Sequence, residues 1–277
     1  VNLKISANFQ QLKGIIYIFP LVLLAMIAFF LYQEDALTVS SYVDFQKDWF
    51  YFLNNKLSQW PQLQNNLTQL GDALIFLSFL AVFIVKAPKI WQALAAGSII
   101  SAILSKALKA IFSVPRPAAV FPHDTFTIIG KPLMSTTNSL PSGHAITNFT
   151  ILTILFFAFL PQKKIHKLLF FIIFIAVGLV LIFTRVGVGA HFPLDVIIGG
   201  IFGFISGITG IFIQNKFGLF AWIGTKKYHP FFIFMLTVCL IIVVNKIIVD
   251  PLIIFYLTVI SLIYSLYLIA ADYFKKS

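Results

Sequence analysis

Apolar runs of about twenty residues recur along this whole chain, and they constrain its fold more than any other feature. Positions 14–32 contain no charged residue at all. Coiled as a helix rising about 1.5 Å per residue, such a run crosses the roughly 30 Å hydrocarbon core of a bilayer. Comparable runs lie near 73–86, 91–112, 145–160, 167–185, 193–213, 230–249 and 252–271. The pattern predicts an all-α, polytopic transmembrane helical bundle of about eight spans. Only 10% of the residues are charged, against roughly 25% in soluble domains, which excludes a water-soluble globular fold. The single cysteine, Cys239, lies inside an apolar run, so neither an intramolecular disulfide nor a cysteine metal cluster can be built. No low-complexity tract, soluble domain or clear internal repeat interrupts the runs.

The net charge of +11 could suggest nucleic acid, but in a chain of this kind the place of each cation matters more. Lys4 and Lys13, Lys86 and Lys89, Lys163, Lys164 and Lys167, Lys216, Lys226 and Lys227, and Lys275 and Lys276 fall in alternate connections. By the positive-inside rule that side is cytoplasmic, and both termini lie on it. Glu34, Asp35, Asp44, Asp48, Asp72, Asp124, Asp195 and Asp250 fall on the other side. The first run follows Lys4 and Lys13 as a signal sequence would. Its apolar stretch exceeds the roughly 7–15 residues of a signal h-region, and no small-x-small cleavage site follows, so it reads as an uncleaved anchor.

Between the first two runs, Trp49, Phe52, Leu53, Leu57 and Trp60 recur at helical spacing among polar residues, which predicts an amphipathic helix in the outer interface. It serves either as an aromatic anchor or as a substrate contact. The connection 118–140, with His123, Asp124 and Lys131, is either a lid and headgroup selector or a solvated link.

Only two arginines occur, Arg116 and Arg185, and both sit on the side that the charge rule disfavours. A guanidinium there needs a partner, and its planar fork suits bidentate phosphate binding better than an ammonium does. Lys109 precedes Arg116 by close to two helical turns, so both can face one anion, although each is equally readable as a snorkelling interfacial cation. Pro115 and Pro117 end the helix around the arginine.

Pro141-Ser142-Gly143-His144 opens the fourth run. Its free backbone N–H groups and helix dipole favour an anion, while Ser142 alone is also a plain N-cap and His144 a plain interfacial residue. Thr184-Arg185 is followed by His191 and Asp195, with Pro193 suited to the first turn of the sixth span. The four-residue spacing lets Asp195 accept from the His191 imidazole, either as a structural pair or to prepare the other nitrogen for chemistry. Gly199, Gly203 and Gly207 continue as a small-residue ladder for close helix packing.

Together, and in this order, these motifs resemble the type 2 phosphatidic acid phosphatases, or lipid phosphate phosphatases, whose pattern is K-x6-R-P, P-S-G-H and S-R-x5-H-x3-D. Every position matches except the opening serine of the last motif, here Thr184, which keeps a hydroxyl. The resemblance implies a six-span core within 1–213, while the added C-terminal transmembrane hairpin over 214–277 is read from its apolar runs and takes no support from the resemblance. It implies a phosphatase without metal or other cofactor, in which His191 attacks phosphorus, Asp195 supports it, and His144 protonates the leaving oxygen. Lys109, Arg116, Ser142, Gly143 and Arg185 would bind the phosphoryl oxygens. The expected partner is a membrane lipid phosphate within the bilayer, with no role for nucleic acid. The expected location is a bacterial cytoplasmic membrane with the site facing outward. Undecaprenyl diphosphate, phosphatidylglycerol phosphate and phosphatidic acid are the substrates it suggests. A lipid A phosphatase or a lipid phosphotransferase would use the same residues. A phospholipid transporter would instead need polar groups spread through the bilayer depth, whereas these cluster at one end.

Overall fold

The computed structural model describes residues 1–275; Lys276, counted above with the cytoplasmic cations, lies outside the described residues. Among the described residues the chain is helical, without strands. The helices are α1 (Asn2–Gln10), α2 (Ile18–Gln33), α3 (Val39–Leu57), α4 (Pro61–Thr68), α5 (Ala73–Phe79), α6 (Phe83–Lys86), α7 (Pro88–Phe112), α8 (Pro117–Val120), α9 (Gly143–Ala158), α10 (Lys164–Gly187), α11 (Pro193–Phe217), α12 (His229–Val249) and α13 (Ile253–Phe274). Six helical stretches, those holding α2, α7, α10, α11, α12 and α13, are long and apolar enough to cross a membrane, which makes this a multi-pass membrane protein.

Two of the expected spans differ in form. Residues 143–158 make one helix of 16 residues, about 24 Å long, which is short of a full crossing. The segment 73–86 is not one helix but α5 and α6 joined by tight turns, in which Leu80, Ala81, Phe83 and Ile84 each donate to the carbonyl three residues back. The indole N–H of Trp91 takes the Leu80 carbonyl, so a tertiary donor replaces the helical one at the break.

The centre of the bundle is α11, packed against α9 and α7. Glycines make this approach possible: a Cβ at Gly199 would stand 2.8 Å from the Ser142 carbonyl oxygen, and one at Gly207 would stand 2.8 Å from that of Thr150. The ladder thus brings the backbones of α9 and α11 together, as its sequence predicts. Outward, α2 shows Leu21, Val22, Met26, Phe29 and Phe30, an apolar surface suited to lipid tails.

Polar contacts divide between the two ends of the bundle. At one end α1 meets the lysine-bearing connections: Asn8 Nδ2 donates to the carbonyls of Ala158 and Leu160, and Asn215 Nδ2 donates to that of Phe9. At the other end α3 and α4 lie across α10. The expected helix is present here, but its stripe is turned. Trp49, Phe52 and Trp60 are exposed, whereas Tyr42, Gln46, Phe50 and Asn54 face the bundle.

The hairpin α12–α13 builds a second hydrophobic cluster, in which Phe232, Leu236, Phe255 and Leu262 pack with Ile75 and Ile84. Asn65 donates to Asp250, the backbone N–H of Ile254 donates to Asn66, and Lys246 Nζ reaches Asp72 Oδ2 at 2.8 Å.

Candidate active site

All three motifs meet at the end of the bundle covered by α3 and α4, and backbone hydrogen bonds hold them together. Arg116 N–H donates to the Ser135 carbonyl, Ser139 N–H to that of Val114, and Ser142 N–H to that of Asp195. The connection 118–140 is therefore folded into the assembly. It is also pinned to α3, since Asn54 Nδ2 donates to the Thr127 carbonyl while Thr127 N–H returns to Asn54 Oδ1 at 2.8 Å.

His191 lies between α10 and α11 in a loop wrapped onto the carbonyl oxygen of Arg185, which accepts from the N–H groups of Ala190 and His191. Gly189 turns that loop with φ 76°, a conformation glycine adopts without strain. The His191 ring is 1% exposed, and its Nδ1 stands 3.4 Å from both Asp195 Oδ2 and Ser139 Oγ. With Nδ1 turned to the carboxylate, Nε2 is the nitrogen directed away from it. Burial holds the imidazole well below its ordinary pKa, and the charges of Arg116, Arg185 and Lys109 together with His144 push it the same way. That ring is therefore neutral, with a lone pair available.

Asp195, in the first turn of α11, is fully buried and held by three donors. Tyr42 Oη donates to Oδ1 at 3.0 Å, Ser139 Oγ donates to Oδ2, and the backbone N–H of Phe192 donates to Oδ2 at 3.0 Å. Burial raises the Tyr42 pKa, and the Asp195 charge and hydrogen bond raise it further, so the phenol stays a donor. Tyr42 and Ser139 escaped the sequence reading: the stripe that marked this helix begins at Trp49, beyond Tyr42, and Ser139 sits unmarked in a polar connection. The one local signal was that Ser139 lies just ahead of the Pro141-Ser142-Gly143-His144 motif.

The cations occupy different depths. Arg116 Nη1 donates to the Ala190 carbonyl at 3.2 Å, next to His191. Arg185 is 7% exposed, with Nη1 donating to Thr68 Oγ1 at 2.8 Å and Nε left without a protein partner. Each fork is thus anchored on one side and unsaturated on the other. A Cβ on Gly143 would lie 3.6 Å from Lys109 Nζ and 3.3 Å from Ser105 Oγ, so the bare glycine keeps α9 close to these groups. Ser142 caps α9 by accepting from Ala145 N–H at 3.4 Å. His144 and Lys109 line a cavity of about 790 Å³, with Gly71 against the His144 ring. His191, Arg116 and Arg185 are not among its lining residues. Every residue singled out from the motifs belongs to this one assembly.

The sequence matches the PAP2 superfamily over residues 90–219, a stretch that contains all three motifs. Over that stretch the chain is similar to members of that superfamily. The helices α3, α4, α12 and α13 lie outside the matched residues. The crystal structure of Aquifex aeolicus LpxE is similar at 26% identity, with a TM-score of 0.47, over 60% of this chain and 94% of that one. No curated protein matches the chain significantly.

Proposed function

We propose that this protein hydrolyses the terminal phosphate of a membrane lipid through a phosphohistidine on His191. The observation that carries the proposal is the neutral, buried His191 beside a carboxylate held by three donors, with arginine forks unsaturated around it. His191 Nε2 attacks phosphorus, and the bond from phosphorus to the leaving oxygen breaks. His144 gives that oxygen a proton. Water then attacks the phosphohistidine and loses a proton to His144, the P–N bond breaks, and orthophosphate leaves. Asp195 stabilises the charge that forms on the imidazole. Arg116, Arg185, Lys109 and the Ser142-Gly143 backbone stabilise the phosphoryl oxygens, the largest demand in phosphoryl transfer.

The lysine pattern supports an outward-facing site in a bacterial cytoplasmic membrane. Undecaprenyl diphosphate, phosphatidylglycerol phosphate and phosphatidic acid are the substrate candidates, and a lipid A phosphatase would use the same residues. The test is phosphate release by the purified protein across a panel of these lipids, with a membrane-impermeant short-chain ester supplied to intact spheroplasts. Release from a lipid of the panel, and from the ester without permeabilisation, is the expected result. Transfer of phosphate to a second lipid in place of release would make the protein a transferase, and activity seen only after lysis would reverse the orientation.

A further inference from the structure

The cavity beside His144 is far larger than one phosphoryl group requires. At about 30 Å³ per water, its volume of about 790 Å³ corresponds to roughly two dozen waters, which is the scale of a whole ligand rather than one anion. It extends along α7 from Lys109 to Ser98, roughly 16 Å of helix, past Lys106, Ser105 and Ser101. Its single carboxylate among the described residues, Asp72, is neutralised by Lys246 at 2.8 Å. That leaves Lys106 and Lys109 as its uncompensated charges, and the motif arrangement commits only Lys109 to the reacting phosphate.

Lys106 and Lys109 are three residues apart on α7, so their Cβ atoms are about 5–6 Å apart on one helix face. Lys106 is rooted about 4.5 Å further from the site end of α7 than Lys109 is. A lipid whose headgroup reaches the site presents its tail from that same direction. A second cation rooted there meets whatever joins the reacting phosphate to the tail.

We propose that Lys106, with Ser105 beside it, forms a second anion subsite that selects lipids carrying two linked phosphates, the inner one on the tail side. The proposal rests on the reading of His191 and its cations as a phosphatase site. Its chemistry fits phosphates joined directly, as in a prenyl diphosphate, or through a glycerol, as in phosphatidylglycerol phosphate.

The experiment compares matched pairs with the purified full chain: prenyl diphosphate against the monophosphate of the same prenol, and phosphatidylglycerol phosphate against phosphatidic acid of the same acyl chains. Lys106→Gln should raise KM about tenfold on the two-phosphate member of at least one pair, the scale of one charge-assisted hydrogen bond, with a much smaller effect on its monophosphate. The pair that responds identifies the linkage. Lys106→Arg should retain most of the discrimination. A binding arm needs no turnover: inorganic diphosphate should protect the wild type from thermal unfolding at about tenfold lower concentration than inorganic phosphate, and Lys106→Gln should erase that difference. Equal effects of Lys106→Gln on both members of each pair, or no diphosphate preference in the melts, would overturn the subsite and assign Lys106 to the lipid interface. Diphosphate preference in the melts without turnover of any lipid would refute the phosphatase reading while leaving the subsite standing.

Discussion

Tyr42 Oη stands 3.0 Å from Asp195 Oδ1, so a helix outside the residues matched to the superfamily holds the carboxylate that faces His191. With Ser139 on the other oxygen, the orientation of Asp195 is set by a helix and a connection that carry none of the motifs.

Removing either hydroxyl is expected to slow phosphoenzyme formation. Tyr42→Phe and Ser139→Ala should each lower kcat about tenfold, the order of one buried hydrogen bond, with KM nearly constant because neither group faces the cavity. Because both act on one carboxylate, the double variant should lose less than the product of the single losses. Rapid-quench measurement of the phosphoenzyme, with melting curves as a control, checks this. A rise in KM at constant kcat would show that these residues serve binding instead.

The two histidines are expected to fail differently. His191→Ala should form no phosphoenzyme, while His144→Ala should slow alkyl phosphates far more than aryl phosphates, whose leaving groups need little protonation. The pH profile follows from the lowered pKa of His191: in the proposed mechanism its neutral form is the nucleophile, and protonation is resisted by burial and by the surrounding cations. Activity in kcat/KM should therefore persist as pH falls through about 6.5, the ordinary histidine value, and decline only below it. An acid limb centred at or above that value for an alkyl phosphate would contradict the assignment.

Arg116→Lys and Arg185→Lys should each lose at least about tenfold in kcat/KM despite the conserved charge. Each guanidinium already spends one nitrogen on the protein, on Ala190 or on Thr68, and in the proposed site the others bind the phosphoryl oxygens. An ammonium cannot hold both directions. EDTA should leave the wild type active, because side chains supply the positive charge. Near-normal lysine variants, or loss in EDTA restored by magnesium, would defeat this account.

Gly71 should be intolerant of a side chain. A Cβ there would lie 2.5 Å from His144 Cβ and Cδ2, so Gly71→Ala must displace the ring and should lower turnover of alkyl phosphates more than of aryl phosphates. Neighbouring Asp72 is tied to Lys246 on α12, yet the pair is about one third exposed, so Lys246→Ala should cost at most about 1 kcal/mol of stability. It should still reduce alkyl phosphate turnover several-fold if the hairpin braces this wall. Unchanged kinetics in both variants would separate hairpin and wall from His144.

The sequence by itself determined whatever depends on near neighbours. Apolar run length marks the membrane helices because crossing a bilayer demands it, and the four-residue spacing of His191 and Asp195 does bring them together, whereas the helical register read for Lys109 and Arg116 does not hold, because α7 ends at Phe112 and Arg116 is extended. Glycines at 199, 203 and 207 announce a close helix contact because only a missing side chain permits one. The tertiary structure decided the rest. Residues 73–86 read as one span, but the indole of Trp91 takes the Leu80 carbonyl and the helix divides there. Tyr42 and Ser139 reach Asp195 across 153 and 56 residues of chain, separations at which no periodicity relates one position to another. The stripe at Trp49, Phe52, Leu53, Leu57 and Trp60 identified a helix but not the residues turned inward, which contacts with α11 and α10 selected: Tyr42 donates to Asp195, Gln46 accepts from Leu194 N–H, and Asn54 donates to the Val186 carbonyl.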